Sequence, residues 1–574
     1  MIKSTLSPML RGITRGLVVS LLAPALSFAQ PGQQQQQQED QVLAPVSRIY
    51  AITNVNIIQG PGRKIDMGTV LIKDGLITGA GKGLAIPPEA IVIKADSMYV
   101  YAGFIDGLSR TGVTKPREET SRERIQNPGN PAPEKAGITP QNDVRNLLSA
   151  TDKGIEEFRG LGFTSAQVVP YGVLLPGNGA LIQLSGKPAD EVVLASKSGF
   201  YSELTSNQGV YPGTILGIMA KWRELYRQAA QAHTYEGTYA SNRTGLERPA
   251  TDRVLEAFYP VIDKKTPVLF KADKVLDAYR VLALQSDLGF QLTIANLKEG
   301  WDVINKIKAA NAKVFLSLDL PDEVKEEKKD AKKEVKPETA NDKEKAALEK
   351  RKKEFIAKYD GQAAAFQKAG VKFGFASIDA KSANIQANLR RMIKAGLTED
   401  QALAALTTSP AELLGVSDRL GSIDNGKIAN LTISDKPYFT EKAKVRYVFV
   451  DGQPFKMEIK DTKKGDPNAK AEIAGTWSVS VDTPQGKNSS TITFTKDGNN
   501  YTGKVSGGMI QTPIDLKSVE LDGTNLKYSY SFTMGGSQQI NVEVDATLEG
   551  DNYSGTASVG SFGSFPVEAK KDPK

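Results

Sequence analysis

The chain has 574 residues, of which 40% are hydrophobic and 24% are charged, a balance that is ordinary for a globular protein. This length predicts three or more domains. The formal net charge of +7 is small for the length, and no basic face is interleaved with aromatic residues, so we expect no nucleic-acid binding.

The N-terminus has the pattern of a secretory signal peptide over residues 1–29. Lys3, Arg11 and Arg15 accompany the apolar run GLVVSLLAPALSF, and small residues predict cleavage after Ala29. No segment is long and apolar enough to predict a membrane span. The chain has no cysteine, so we expect neither a disulfide nor a lipid-modified Cys, and a periplasmic location fits best. The Gln-rich residues 30–47 predict a linker.

Short strands and turns fill residues 48–101, and the dipeptide Asp74-Gly75 between two β-rich runs predicts a hairpin. A similar strand-rich pattern returns at residues 413–458. We therefore predict one small composite β-sandwich that is built from both flanks of a central domain.

Strands alternate with amphipathic helices through the middle of the chain, which predicts parallel strands joined by crossovers. This rhythm favours a (β/α)8 TIM barrel over residues 102–412, with a doubly wound sheet as the alternative. A charged insertion, helical in its second half, is predicted at 321–357. The predicted strands are 162–170, 267–272, 290–296, 313–320 and 371–377, and the predicted helices are 273–287, 299–312 and 383–396.

Two helix starts follow the barrel segment. Thr398 with Gln401 predicts a capping box, and Ser409 with Glu412 predicts a second one with Pro410 at its first helical position.

Residues 470–574 read as eight short alternating segments with Gly, Asn and Asp turns, which predicts a separate all-β barrel or sandwich. The GTW motif around Trp477 is similar to the start of lipocalin-type barrels, which hold small apolar ligands. A packed core residue is the alternative reading of Trp477.

The stretch YAGFIDGLSRTG at 101–112 predicts a strand that turns at Gly107. A hydrolase with an α/β fold would place metal ligands at the end of such a strand. This stretch resembles the PGxIDxHxHxG motif of the amidohydrolase superfamily, in the branch of imidazolonepropionase-like and prolidase-like enzymes. The segment GFTSAQVVP with LPGNGALIQLSGK, and the long segment from AGLTEDQ to NLTISD, also look like that family. The resemblance covers residues 48–455.

This resemblance implies a metal-dependent hydrolase of C–N bonds that uses Zn²⁺ or another divalent metal to activate water. The family's histidine ligands are replaced at the corresponding positions, which hold Leu108, Arg110, Lys271, Asp273 and Asn296. Asp379 corresponds to the catalytic Asp that follows the last barrel strand, and it is the one catalytic candidate.

The composition limits metal chemistry, because the chain has one histidine, His233, and no cysteine. Zinc hydrolase sites usually take two or more imidazole or thiolate ligands. Carboxylates alone suit Mg²⁺ or Ca²⁺, but Arg110 and Lys271 would repel a dication. We therefore predict no metal and no cofactor, and we expect His233 to lie late in a helix as an ordinary residue.

Two interpretations of the altered site remain open. Arg110, Lys271 and Asp273 could form an ion-pair network in place of the metal, or the two cations could bind a small anionic ligand. Three functions follow: a metal-depleted homologue that binds a ligand or partners an active amidohydrolase relative, a working C–N hydrolase with Asp379 as general base, or an envelope protein that binds small ligands through its C-terminal β domain.

Overall fold

We describe a computed structural model of the chain, and the predicted signal peptide, the linker before residue 48 and the start of the charged insertion lie outside the residues that it describes. The structure describes residues 48–116, 127–323, 340–457, 471–483, 486–498, 500–508, 510–534, 538–559 and 563–572.

The described residues form an α/β region followed by an all-β region. The strands are β1 (Ile49–Gly60), β2 (Arg63–Lys73), β3 (Leu76–Gly81), β4 (Ile91–Lys94), β5 (Tyr99–Ala102), β6 (Phe104–Ser109), β7 (Phe163–Val168), β8 (Gly177–Gln183), β9 (Val193–Glu203), β10 (Val268–Lys271), β11 (Leu292–Leu297), β12 (Lys313–Ser317), β13 (Gly374–Ala376), β14 (Leu431–Ser434), β15 (Val445–Val450), β16 (Gln453–Lys456), β17 (Gly475–Thr483), β18 (Gly486–Asp497), β19 (Asn500–Gly507), β20 (Ile510–Asp515), β21 (Ser518–Asp522), β22 (Asn525–Met534), β23 (Gln538–Glu549), β24 (Asn552–Val559) and β25 (Gly563–Lys571). The helices are α1 (Lys153–Gly160), α2 (Ala189–Val192), α3 (Ile215–Ser241), α4 (Arg253–Glu256), α5 (Tyr259–Ile262), α6 (Val275–Leu288), α7 (Ile304–Ala309), α8 (Ala340–Lys368), α9 (Ser382–Lys394), α10 (Glu399–Leu406) and α11 (Thr408–Leu413), with a short 3₁₀ helix at Val144–Leu147.

The first sheet combines strands from both flanks of the α/β region, in the order β16-β15-β14-β5-β1-β2-β3, with β4 paired to β1. Strand β14 pairs antiparallel with β5, so that Leu431 lies opposite Ala102. The predicted hairpin joins β2 and β3, and both of its turn residues, Asp74 (φ 49°) and Gly75 (φ 83°), have the left-handed backbone of a type I′ turn.

The second sheet has the order β13-β12-β11-β10-β9-β8-β7-β6, and its strands β9 to β13 are parallel. The expectation of parallel pairing throughout is wrong at β8, which runs antiparallel to both neighbours. The connections at 169–176 and 184–192 explain this difference, because they are too short for the dozen or more residues of a parallel crossover.

The predicted turn at Gly107 is absent, since β6 continues through this glycine to Ser109, although its register to β7 shifts between Asp106 and Ser109. A Cβ atom on residue 107 would clash with Cδ1 of Phe315, so close packing against β12 requires glycine here.

The helices agree with the apolar periodicity in most places. Thr398 caps α10 as predicted, because its hydroxyl accepts from the backbone N–H of Gln401. The second capping box is wrong, since α11 begins at Thr408 and buries Ser409 within its first turn. Helix α8 continues to Lys368, so the predicted end of the insertion at 357 falls inside one helix. None of the helices in the described ranges is both long and apolar enough to cross a membrane.

The C-terminal region is one antiparallel sheet of nine strands, in the order β20-β19-β18-β17-β25-β24-β23-β22-β21. One predicted strand is divided into β20 and β21, because Leu516 donates its backbone N–H to Gly503 whereas Lys517 donates to Ser529. This bent segment thereby pairs with β19 and with β22, and it connects the two ends of the sheet. Trp477 is fully buried in the core of this region.

Candidate active site

The site residues predicted from the sequence all lie at or just after the carboxyl ends of strands in the second sheet. This is the edge where α/β enzymes with parallel strands place their functional groups. Register pairing sets Lys271, the last residue of β10, opposite Glu203 of β9 and Ala295 of β11.

Leu108 lies below this edge, in a fully buried apolar cluster. Its side chain has no lone pair to offer a ligand, so this position serves packing. The other buried members of the cluster are Val169, Tyr201, Leu269, Ala295, Phe315 and Ala376.

Arg110 forms an ion pair with Glu203, and its Nη2 lies 3.0 Å from Oε1. The sequence alone suggests a network of Arg110 with Asp273, whereas in the structure the position of β9 brings Glu203 to Arg110. Glu203 also accepts from the hydroxyl of Tyr201 at 2.5 Å and from that of Thr205 at 3.1 Å. The guanidinium stands 4.8 Å from the ring centroid of Tyr171, a cation–π contact.

Lys271 and Asp273 form the ion pair that the sequence suggested, with 2.9 Å between Nζ and Oδ2. The same Nζ lies 3.2 Å from Oδ2 of Asp379. Asn296 connects the two carboxylates, since its Nδ2 donates to Asp273 at 2.9 Å and to Asp379 at 2.7 Å.

Asn296 is fully buried and has a left-handed backbone (φ 60°). The pairing of β11 with β12 shifts register between Ile294 and Leu297, so this residue sits at a bulge that re-aims its side chain. The bulge turns the amide toward the two carboxylates.

A second lysine, Lys298, completes the network around Asp379. Its Nζ lies 3.2 Å from Oδ2 of Asp379 and 2.6 Å from Oδ2 of Asp319. One carboxylate oxygen of Asp379 is thus in contact with two ammonium groups and one amide, which leaves it little capacity to accept a further proton.

The directions of the pKa shifts indicate that Asp379, Lys271 and Lys298 are all ionised at neutral pH. Burial of Asp379 opposes ionisation, but the ammonium groups of Lys271 and Lys298 outweigh burial and lower its pKa. Burial also acts against the charge on Lys271 and Lys298, yet the neighbouring carboxylates raise the pKa of both amines. A carboxylate with a lowered pKa is a weak general base.

The donor set does not fit the divalent metal that the sequence resemblance implies. Arg110, Lys271 and Lys298 bring three positive charges to the strand ends, and each already pairs with a carboxylate. A dication at this position would be repelled at short range. Among the residues that the structure describes, no group of three or more His, Cys, Asp or Glu side chains is arranged to hold a metal ion.

His233 lies in α3, away from this network. Its Nε2 lies 3.0 Å from Oδ1 of Asp263, and its ring stacks on Tyr259 with 4.4 Å between centroids. The histidine thus lies in the second half of a helix, as expected, and its role as an ordinary residue stays a prediction.

A buried carboxylate, Asp106, lies in β6 beside the site. It accepts from the backbone N–H of Leu108 at 3.2 Å and of Ser377 at 3.0 Å, and also from the hydroxyl of Ser377. Asp106 thereby ties β6 to the residue that follows β13.

Sequence reasoning missed Glu203, Lys298, Asp319 and Asp106. The first three are charged residues at or just beyond the carboxyl end of a strand, and this position is the signal that could have identified them. Asp106 lies inside β6.

Residues 294–455 match the model of the amidohydrolase family. The amidohydrolase segment contains Asn296, Lys298, Asp319 and Asp379, so four members of the network lie inside it.

The chain is similar to several solved structures. An amidohydrolase from Thermotoga maritima has 20% sequence identity and a TM-score of 0.56, over 71% of this chain and 100% of that chain. A prolidase complexed with N-methylphosphonate-L-proline has 17% identity and a TM-score of 0.42, over 71% and 100% of the two chains. A putative prolidase from Bifidobacterium longum has 16% identity and a TM-score of 0.40, over 72% and 95%. No curated protein matches the chain in sequence. The first likeness establishes an amidohydrolase-like α/β fold.

Proposed function

We propose that this chain is an exported amidohydrolase-family protein that has lost metal-dependent hydrolysis and acts by binding a ligand or by partnering an active relative. The observation that carries the proposal is the state of Asp379, whose Oδ2 lies 3.2 Å from Nζ of Lys271 and 3.2 Å from Nζ of Lys298. In the family, the corresponding Asp shuttles the proton of a metal-activated water.

The ammonium groups neutralise the carboxylates that remain at the strand ends. This arrangement stabilises the network without a metal, because each buried charge has an opposite charge within hydrogen-bond distance. It also makes Asp379 a poor base, so a metal-free hydrolase with Asp379 as its general base is less favoured than a binding role.

We also infer that strands β6 to β13 close into the (β/α)8 barrel that the sequence favours. Ser377, which follows β13, donates its backbone N–H to the carbonyl oxygen of Leu108 in β6 at 3.1 Å. This bond supports closure, because β6 and β13 stand at opposite ends of the strand order.

Export and a periplasmic location are part of this proposal and rest on the N-terminal sequence pattern. A binding role for the C-terminal β region is a weaker alternative, since its interior is filled by large side chains that include Trp477, Tyr528 and Tyr553.

The test is elemental analysis of the mature protein purified without added zinc, combined with hydrolysis assays on dipeptides and cyclic amides. We expect less than about a tenth of an equivalent of metal and no chelator-sensitive activity. Close to one equivalent of a transition metal, with hydrolysis that a chelator abolishes, would overturn the proposal. The partner role is tested by purifying the tagged chain from its native envelope, where recovery of a histidine-complete amidohydrolase is expected; recovery of the chain alone would leave ligand binding as its function.

A further inference from the structure

A cavity of 760 Å³ shares no lining residue with the strand-end network, the name used here for Arg110, Glu203, Lys271, Asp273, Asn296, Lys298, Asp319 and Asp379. It is bounded by α1, by α9 and by β15 and β16, so it follows the seam between the first sheet and helices that flank the second. Its volume lies within the range of small-molecule sites, and such sites are common where structural units meet.

Arg159 is the central polar group of this cavity. Its Nη1 donates to the backbone oxygens of Leu184 at 3.2 Å and Ser185 at 3.0 Å, and its guanidinium stands 4.0 Å from the ring centroid of Phe455. These contacts fix the orientation of the side chain. Within the described part of the chain, no carboxylate lies within ion-pair distance of Arg159.

The cavity has an excess of positive charge. Arg159, Lys444 and Lys456 line it together with one acidic residue, Glu156. Burial lowers the pKa of Arg159, and Glu156 offsets this only in part, so the guanidinium is a charge with incomplete compensation. An anion placed here would supply the missing partner.

The remaining walls are mostly apolar. Leu161, Phe455 and Met457 contribute aliphatic and aromatic surface, and Gln386 is held in place by donating to the carbonyl oxygens of Tyr438 and Ala443 at 3.2 Å each. Gln386 is therefore engaged with the backbone and adds little free polar capacity. A ligand in this cavity would contact positively charged side chains at one end and apolar side chains along the rest of its length.

We propose that this cavity binds a small organic carboxylate with an aromatic or aliphatic body, the carboxylate facing Arg159 and Lys456 and the body lying against Phe455 and Met457. The site is separate from the strand-end network and does not depend on the function proposed there.

Calorimetric titration of the full mature chain with phenylbutyrate tests this proposal, with the neutral phenylbutyramide as the matched ligand. We expect the acid to bind at least about fivefold more tightly than the amide, since only the acid gains the charged contact. Arg159→Met keeps the apolar stem and should weaken acid binding about tenfold, whereas Lys456→Gln at the exposed edge should weaken it about twofold. Glu156→Gln removes the opposing charge and should tighten acid binding about twofold without changing amide binding.

Arg110→Met is the control for the strand-end network and should leave binding of the acid unchanged. Loss of binding in Arg110→Met would place the acid at that network and overturn the proposal. Equal affinity for acid and amide, or wild-type affinity in Arg159→Met, would also overturn it. If Arg159→Met fails to fold, as its thermal unfolding will show, the opposite shifts expected for Lys456→Gln and Glu156→Gln decide the outcome, and no shift in either refutes the site.

Discussion

Exchange of Asp106 for Asn should change how the stability of the α/β region depends on pH. Asp106 is fully buried in β6, and burial raises its pKa to about 7, although hydrogen bonds from Ser377 and Leu108 act in the opposite direction. The Asn side chain has the same shape, and its carbonyl oxygen can still accept from the backbone N–H groups of Leu108 and Ser377. The variant therefore retains the link between β6 and β13 while removing the titration.

The direction of this pH dependence follows from the pKa of the Asp106 carboxyl group in the folded and in the unfolded chain. Its ordinary pKa of 3.8 applies when the chain is unfolded, and the folded value is about 7. Well below pH 3.8 the carboxyl group is protonated in both states. Between pH 3.8 and about 7 the folded state holds a proton that the unfolded state has released, so stability falls as the pH rises through this range. A difference of this size corresponds to about 4 kcal/mol in total, at about 1.4 kcal/mol for each pH unit.

Urea unfolding at several values between about pH 4.5 and about pH 8 measures the effect. Tryptophan fluorescence in a Trp477→Phe background reports the α/β region, because Trp222 and Trp301 both lie there. The free energy of unfolding of Asp106→Asn minus that of the parent should rise steadily toward high pH. Contributions from other titrating groups cancel in this difference.

Asp379→Asn is the matched control, because the neighbouring lysines lower the pKa of Asp379. A lowered pKa changes stability only at and below the ordinary value of 3.8, so this control should show a nearly constant difference between about pH 4.5 and about pH 8. A stability difference for Asp106→Asn that stays constant with pH would refute the reasoning, since it would mean that Asp106 titrates alike in the folded and unfolded states.

Three further changes have definite expected outcomes. Lys271→Met should lower the free energy of unfolding by about 2 to 4 kcal/mol in urea titrations, because it removes a buried cation from two carboxylates. Gly107→Ala should cost about 1 to 3 kcal/mol or prevent folding, since the new methyl group meets an aromatic ring, whereas Gly361→Ala in the open middle of α8 should stabilise by about 0.5 to 1 kcal/mol. Tyr528→Phe should lower the melting temperature of the C-terminal region by calorimetry, at a cost of about 1 to 2 kcal/mol, because it leaves the buried hydroxyl of Tyr553 without its partner at 2.9 Å.

Each change has its own control. Lys372→Met breaks an exposed ion pair and should cost less than about 0.5 kcal/mol, so an equal loss in both lysine variants would contradict the buried network. Wild-type stability in Gly107→Ala would mean that β6 does not approach Phe315 as described. Removal of both hydroxyls, in Tyr528→Phe with Tyr553→Phe, should cost less than the sum of the single changes, and strict additivity would speak against a direct bond between them.

The sequence was sufficient for the elements whose formation is local. Apolar residues at helical spacing locate α6 and α9, and short apolar runs locate β10 and β11, because side chains on one face must be buried whatever lies opposite. The scarcity of histidine and cysteine was also readable without a fold. A chain with one histidine and no cysteine cannot supply the usual zinc ligands at any place in its structure.

The sequence was not sufficient for the partners of the site residues. Arg110 pairs with Glu203, which is 93 residues away, and Asp106 bonds Ser377, which is 271 residues away. Nothing in the local pattern of either segment indicates which carboxylate or hydroxyl will meet it. Strand register makes these choices, because a shift of one residue would turn each side chain to the opposite face of its strand.

The same limit applies to the divided strand at 510–522, although not to the direction of β8. Connection length, which the sequence shows once the strands are known, accounts for the antiparallel β8. Strands β20 and β21 are separate because the backbone N–H of Leu516 bonds to β19, whereas that of Lys517 bonds to β22. These two bonds form only when both ends of the sheet are in place. Local chemistry thus determined the elements and the scarcity of imidazole and thiolate side chains. The tertiary structure decided which charges lie together, because contacts between distant segments exist only after the strands have aligned.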